Sequence, residues 1–419
     1  MRRFSKLIGV TLLAGALNLC FFPGARSGAK PLPDTVAPDH IVLSWTADPR
    51  TSQTITWRTG VKAAGTVVEF WAADQTGASL RKGKRVIGAA APYKSNLGTM
   101  LIHSATIRGL APGETYCYRV GDGQTWGRIF RFTTEPGRND KFTFVAFGDS
   151  QSPIGNYRLW SETIHAAYKR EKPRFLINVG DLVDNGQDQR HWESWFQAAS
   201  GVLENIPEMP VPGNHETYRS GPVRKAGKPE AYLSQFSLPD NGPPGLKEQA
   251  YSFDWGQVHF VMLDSQAEEE GDWIVPAEKT WLEQDLRKTN KPWKVVVFHK
   301  PPFSGWPGGT GYACAGFEPI LEKFGVDLVL NGHHHVVMRI RRGFNHTGPD
   351  SGPTYLITGR SGTKVYPDNK PRKSASFFYN PVDQPGYVAV TATGEALSVV
   401  VKKLDGKVVE RFELRKGAP

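Results

Sequence analysis

Cysteine is nearly absent: three residues in 419. That number excludes a disulfide framework, so stability has to come from buried apolar side chains. Cys20 lies in the leading segment, and Cys117 and Cys314 fall in what are read below as separate domains. The latter two are expected as small buried hydrophobes rather than as partners. No internal repeat and no low-complexity tract occurs, which excludes a solenoid and a disordered chain. The basic residues are scattered and form no stripe, which argues against a nucleic-acid binder. No serine or cysteine motif of a covalent nucleophile is present, so water is the expected nucleophile of any hydrolysis.

Apolar residues make up 39% of the chain and charged ones 22%, with 44 Gly and 31 Pro. This is the composition of a soluble globular protein with ample core material and many turns. The length admits two or three units of ordinary size, and two suffice. A formal net charge of +10 favours anionic partners, among them phosphate esters, nucleic acid and acidic surfaces, through an attraction that salt screens.

The first thirty residues stand apart. Arg2, Arg3 and Lys6 precede an apolar run from Leu7 to Phe22, followed by Gly24, Ala25, Ser27, Gly28 and Ala29, the layout of a secretory signal peptide over 1–30. A retained anchor is the alternative, but the run is shorter than the ~20 residues a span needs. Lipidation at Cys20 is a third, although Leu19 stands where such sites carry a small residue. Export to a periplasmic or extracellular location is the expectation, with membrane contact only if the segment or a Cys20 lipid is retained.

Over residues 38–135 short runs alternate polar with apolar or aromatic residues: Ile41 to Trp45, Thr54 to Trp57, Val67 to Trp71 and Thr115 to Val120, separated by Gly, Pro and Ser turns. This predicts an all-β sandwich with Trp57 in its core. A polar linker, Glu135 to Asp140, carries Pro136 and Gly137 and marks a boundary. From 141 to 415 strand and helix patterns alternate. Strands are predicted at Lys141 to Phe147, Arg174 to Val179 and Trp293 to Phe298. One helix is predicted over Tyr157 to Lys169 and another opening at Pro276, with Ala277, Trp281, Leu282 and Leu286 turned inward. The runs Tyr355 to Thr358, Tyr387 to Thr391, Leu397 to Lys402 and Val408 to Leu414 are predicted to complete a second sheet. The class is layered α/β, with chemistry at strand ends.

Five polar clusters follow apolar strand patterns in order: Gly148 and Asp149; Gly180 and Asp181; Gly213, Asn214 and His215; His299; and Gly332, His333, His334 and His335. A strand delivers a residue to its end with little freedom, and an adjacent glycine permits a sharp turn, so five such clusters can converge on one point. Carboxylate, carboxamide and imidazole together suit borderline divalent and ferric ions. Each cluster alone reads as a turn or a core histidine; the ordered set reads as a two-metal site.

The segments FGDSQS, NVGDLVDNG, PGNHE, VVVFH and NGHHH resemble the five signature blocks of the calcineurin-like metallophosphoesterases. The sandwich before them, with Leu110, Pro112, Gly113 and Tyr116, resembles a fibronectin type III domain and the arrangement of purple acid phosphatases. The resemblance implies a four-layer αββα phosphoesterase domain preceded by the all-β sandwich. It makes Asp181 the bridging ligand, gives Asp149 and His335 to one metal, and gives Asn214, His299 and His333 to the other, the pair being Fe, Mn or Zn. Gln151 stands where the wider family often has histidine, so the ion held by Asp149 is expected to bind weakly or to be a harder one. Asp184 stands where purple acid phosphatases carry a tyrosine, so no purple colour is expected. Asp184 is instead expected to orient His215 as the general acid, as in phosphoprotein phosphatases, and Asn185 replaces a phosphate-gripping arginine. His191, His334 and Arg339 are candidate substrate contacts, Arg339 having a salt bridge as its alternative. His191, Trp192, Tyr218, Trp306 and Tyr312 are candidates for the rim, with packing as theirs.

The implied reaction is attack of a metal-bound hydroxide on phosphorus in a small phosphate monoester. A phosphodiesterase acting on nucleotide or lipid headgroup esters is the alternative within the enzyme class. A surface-binding protein with a degenerate metallophosphoesterase scaffold is the alternative outside it.

Overall fold

The computed structural model describes residues 35–74, 83–137, 141–217, 227–266, 274–303, 316–341, 352–371 and 374–416. The segment 1–30 with Cys20, the rim candidates Tyr218, Trp306 and Tyr312, and Cys314 lie outside these residues.

The amino-terminal part forms two four-stranded antiparallel sheets. One has β1 (Asp39–Ser44), β2 (Ser52–Thr59), β6 (Gly98–Arg108) and β5 (Ala89–Ser95) in that spatial order. The other has β4 (Lys84–Ile87), β3 (Val67–Ala72), β7 (Thr115–Gly121) and β8 (Phe130–Thr133). Alternate residues of both face inward, as period-two patterning requires. Ile41, Leu43, Ile55, Trp57, Val68, Phe70, Ile107, Tyr118 and Val120 share one core. Tyr116 closes a corner: its hydroxyl accepts a hydrogen bond from the Ala111 amide at 2.9 Å, as the fibronectin resemblance implies. Cys117 is a buried free thiol.

The rest of the chain builds two larger sheets. β9 (Phe142–Phe147), β10 (Leu176–Asn178) and β11 (Glu208–Pro210) are parallel neighbours, and β9 pairs on its other side, antiparallel, with β19 (Gly386–Ala392). β20 (Ala396–Lys403) and β21 (Val408–Arg415) complete this six-stranded sheet. The second sheet has seven strands, with β13 (Val258–Met262), β14 (Trp293–Val297), β15 (Leu328–Asn331) and β17 (Thr354–Thr358) parallel at its centre.

Side-chain alternation along β14 shows the layering. Val295 and Val297 enter the core shared with Phe144, Val145 and Leu176 of the first sheet. Val296 and Phe298 enter a second core with Leu282 and Leu286 of one helix and Ile320 and Leu321 of another. These helices span Ile274–Lys288 and Glu318–Lys323. The first sheet is covered by α1 (Arg158–Glu171) and α2 (Gln189–Ala199), which bury Trp160, Ile164, Trp192, Trp195 and Phe196. Helix, sheet, sheet and helix are therefore stacked, the expected four layers.

The predicted assembly of the carboxy-terminal strands is corrected. Of the four runs read as completing a second sheet, only β17 joins the seven-stranded sheet, whereas β19, β20 and β21 extend the first one from β9. Strand patterns report which face is apolar but not which edge is open, and β9 offers a free antiparallel edge beside its parallel contact with β10.

Candidate metal centre

Every predicted ligand lies just beyond the carboxyl end of a parallel strand. Asp149 and Gln151 follow β9, Asp181 follows β10, and Asn214 opens a single helical turn (Asn214–Thr217) after β11. His299 follows β14, and His333 and His335 follow β15. Three strands belong to one sheet and two to the other, so the site forms where the two sheets present their strand ends to one another.

The backbone is forced at these points. Among the described residues seven non-glycine positions have positive φ, and four of them are ligand candidates: Asp149 (50°), Asp181 (54°), His333 (71°) and His335 (55°). Such conformations cost of order 1–3 kcal/mol each and persist only where surrounding contacts enforce them. Gly180, at φ 96°, leaves no room for a side chain, because a Cβ there would lie 2.7 Å from His299 Nδ1. At Gly213 a Cβ would meet Asp181 Oδ1 at 2.3 Å.

The side chains converge in two groups that share Asp181. Asp181, His299 and His333 offer ligand atoms within 4.8 Å of one another, and so do Asp149, Asp181 and His335. His299 Nε2 lies 3.2 Å from Asp181 Oδ2 and 3.1 Å from Asn214 Oδ1, and His333 Nδ1 lies 2.8 Å from the same Asn214 oxygen. His335 Nε2 lies 3.2 Å from Asp149 Oδ1. Asp149, Gln151 and His299 are fully buried, and Asp181 and His335 nearly so.

The backbone sets the imidazole tautomers. His299 Nδ1 donates to Val179 O at 2.9 Å, and His335 Nδ1 donates to Lys364 O at 2.9 Å. In both rings the backbone holds a proton at Nδ1 and turns Nε2 toward the carboxylates, the atom a cation would take; without a cation, Asp181 outweighs burial and pushes the His299 pKa up to about 9. Burial alone would raise the Asp181 pKa, but His299 and His215 outweigh it and hold this carboxyl well below the usual range. Burial and the neighbouring His299 push His333 well down, toward the neutral imidazole.

This donor set fits two cations. Gln151 adds a further indication: its Nε2 lies 3.2 Å from both Asp181 Oδ2 and His335 Nε2, while its Oε1 is buried with no partner. A half-turn of the carboxamide would place that oxygen among the ligands of the Asp149 group.

The structure amends several sequence expectations. His215 Nδ1 donates to the backbone carbonyl of Asp184 at 2.6 Å, whereas the Asp184 carboxylate is 43% exposed and lies 3.5 Å away. The tautomer of His215 is thus set mainly by the backbone. Its Nε2 lies 3.8 Å from Asp181 Oδ2 and accepts from Lys364 Nζ at 3.0 Å. Arg339 donates to Glu410 at 2.7 Å and covers the ring of Phe412, the salt bridge named as its alternative. His191 is buried against the Tyr157 hydroxyl at 3.1 Å, which leaves little of it for a ligand. Trp192 is fully buried and is packing. His334 is buried with its ring centroid 5.1 Å from that of His333.

Two neighbours of the site escaped the sequence reading. Glu216 is fully buried and accepts the amides of Asp181 at 2.9 Å, Gly213 at 2.8 Å and Val183 at 3.2 Å. It thereby ties the β10 and β11 turns together. Burial and the charge of Asp181 push its pKa up to about 8, against amide donors that favour the carboxylate. Its place directly after His215 was the available signal. Lys364, 29 residues beyond His335, had none.

Comparison with known proteins agrees with this geometry. Residues 38–134 match the family model described as purple acid phosphatase, N-terminal domain, and residues 142–337 match that of calcineurin-like phosphoesterase. The chain is 28% identical over 447 residues to mouse acid phosphatase type 7, covering 95% of this chain and 96% of that one. It is 26% identical to purple acid phosphatase 15 of Arabidopsis thaliana, covering 81% and 73%. Among solved structures, the purple acid phosphatase PPD1 of yellow lupin superposes with a TM-score of 0.75 at 18% identity, covering 90% of this chain and 74% of that one. At that identity the superposition speaks for the fold alone. Family models, relatives, fold and ligand geometry agree: residues 38–134 match a purple acid phosphatase N-terminal domain and residues 142–337 a calcineurin-like phosphoesterase domain, the two-part architecture of a metallophosphoesterase hydrolase.

Proposed function

We propose that this chain is an exported phosphatase that hydrolyses small phosphate monoesters at a two-metal site. The observation that carries the reading is the sharing of buried Asp181 between two ligand groups delivered by five strand ends. The names of the relatives, acid phosphatase type 7 and purple acid phosphatase 15, support phosphatase chemistry, and the leading segment 1–30 supports export. Among the described residues no helix is long and apolar enough to cross a membrane.

Asp181, Asp149 and His335 would hold one ion, with Gln151 beside them; Asp181, Asn214, His299 and His333 would hold the other. When bound, such a pair neutralises charge on the phosphoryl oxygens and activates water. The chain's own residues do the rest. Glu216 fixes the turns that carry Asp181 and Asn214. The Asp184 carbonyl holds the proton of His215 at Nδ1, which leaves Nε2 as the atom that presents a proton to the departing alkoxide once the ring is protonated.

The test is hydrolysis of an aryl phosphate monoester beside an aryl phosphodiester, after metal removal and re-addition of Fe, Mn, Zn or Mg. Turnover should depend on metal, prefer the monoester and be lost in Asp181→Asn. A preference for the diester would replace the substrate class, and no turnover with any metal in folded protein would remove the hydrolase reading in favour of a binding scaffold.

A further inference from the structure

Lys364 lies on a loop with no motif of its own, yet the loop is laced to the segment that carries the first ligands. Ser361 N donates to Gly148 O at 2.6 Å, Gly362 N to Asp149 O at 3.1 Å, and Thr363 N to Ser152 Oγ at 3.3 Å. Gly362 is pressed so close that a Cβ would stand 2.4 Å from Gln151 O. Arg360 Nη1 ties the loop from the other side by donating to Gly362 O at 2.5 Å. The Lys364 carbonyl accepts the His335 Nδ1 proton, so the residue is registered against a ligand at its own backbone.

From this position the Lys364 ammonium donates to His215 Nε2 at 3.0 Å and stands 3.6 Å from the Asp184 carboxylate. It is 32% exposed. His215 Nε2 is itself 3.8 Å from Asp181 Oδ2. A cation delivered by this loop therefore stands one side chain away from the shared ligand. Lys300, which is buried and whose charge acts on His333, is a second cation near the cluster.

Resting on the phosphoesterase reading above, we propose that Lys364 is a substrate-binding residue whose ammonium contacts a phosphoryl oxygen, and that it gives the site its preference for monoesters over diesters. The chemical reason is charge. A monoester near neutrality carries close to two negative charges and three non-bridging oxygens, whereas a diester carries one charge and two such oxygens. An additional cation outside the ligand set therefore acts more strongly on the monoester.

The experiment compares native protein, Lys364→Met and Lys364→Arg, each with its metal content measured. Two readouts are taken: calorimetric binding of inorganic phosphate, and kcat and KM on the aryl monoester and diester. In Lys364→Met phosphate affinity should fall by roughly tenfold or more, the size of one charge-assisted hydrogen bond. KM for the monoester should rise while the diester is little changed, and Lys364→Arg should recover most of the loss. Unchanged phosphate affinity in a metal-replete Lys364→Met protein, or equal losses on both esters, would overturn the assignment. Lys364→Gln replaces the methionine variant if that protein does not retain metal. Failure of native protein to turn over any ester would count against the proposed function alone, since phosphate affinity still decides the role of Lys364.

Discussion

Asp149, Asp181, His333 and His335 all adopt backbone angles that L-residues avoid, and they do so at the positions where donor atoms must converge. A conformation that is locally unfavourable at four places is retained because the strand ends, the glycines beside them and the Glu216 carboxylate leave the turns no alternative. Gln151 is the residue at which this set is weakest, since a carboxamide is a poorer donor than imidazole to transition metals. Gln151→His should increase retention of a transition ion at the Asp149 group by about tenfold or more. Metal content after dialysis against a graded chelator reads this directly, and unchanged retention would show that the ion there draws nothing from position 151.

Elements rather than single residues hold the second layer of the fold together. His259 on β13 is bracketed by Asp254 of β12 (Tyr251–Trp255), at 2.7 Å, and by Asp285 of the helix Ile274–Lys288, at 2.8 Å. Burial would lower its pKa, but the two carboxylates prevail and raise it from 6.5 to about 9. The folded state thus binds a proton that the unfolded chain releases at lower pH. The stabilisation is fully present below about pH 6.5 and is lost as pH rises through about 9. Unfolding free energies from urea titrations between pH 6 and 9.5 should fall by an amount on the order of 1–3 kcal/mol that is missing in His259→Gln; identical pH profiles would refute this role. The helices over Arg158–Glu171 and Ile274–Lys288 were legible because an apolar face repeats at helical spacing. The destination of β19 to β21 was not, since an alternating strand pairs equally well with any open edge of matching pleat.

At the scale of the whole molecule, the sandwich and the phosphoesterase layers are joined by more than a linker. Val42 within β1 and Trp45 just beyond it enter the large core of the second part. Tyr118 donates to Glu204 O at 2.7 Å, and Leu43 N donates to Leu203 O at 3.1 Å. Arg58 of β2, only 5% exposed, pairs with Asp39 of its own sheet and with Glu193 of α2. Removing one member of so buried a group leaves the others with uncompensated charge, although Glu193 and Asp39 retain some solvent. Arg58→Met is therefore expected to lower unfolding stability by about 1–3 kcal/mol while leaving metal content intact. Thermal denaturation with metal analysis would test this, and a loss of bound metal in the folded variant would mean that the sandwich also supports the site.

The sequence by itself determined the layered class and which strand-end residues converge, because strand-end motifs with glycine at fixed places carry local information. Only tertiary structure decided the rest. Asp184 acts on His215 mainly through its backbone, Arg339 is spent on Glu410, Glu216 binds two turns together, and Lys364 reaches the site from a loop far along the chain. Each of these is a contact between segments whose distance along the chain carries no trace of their proximity, and such contacts exist only once the two sheets have packed.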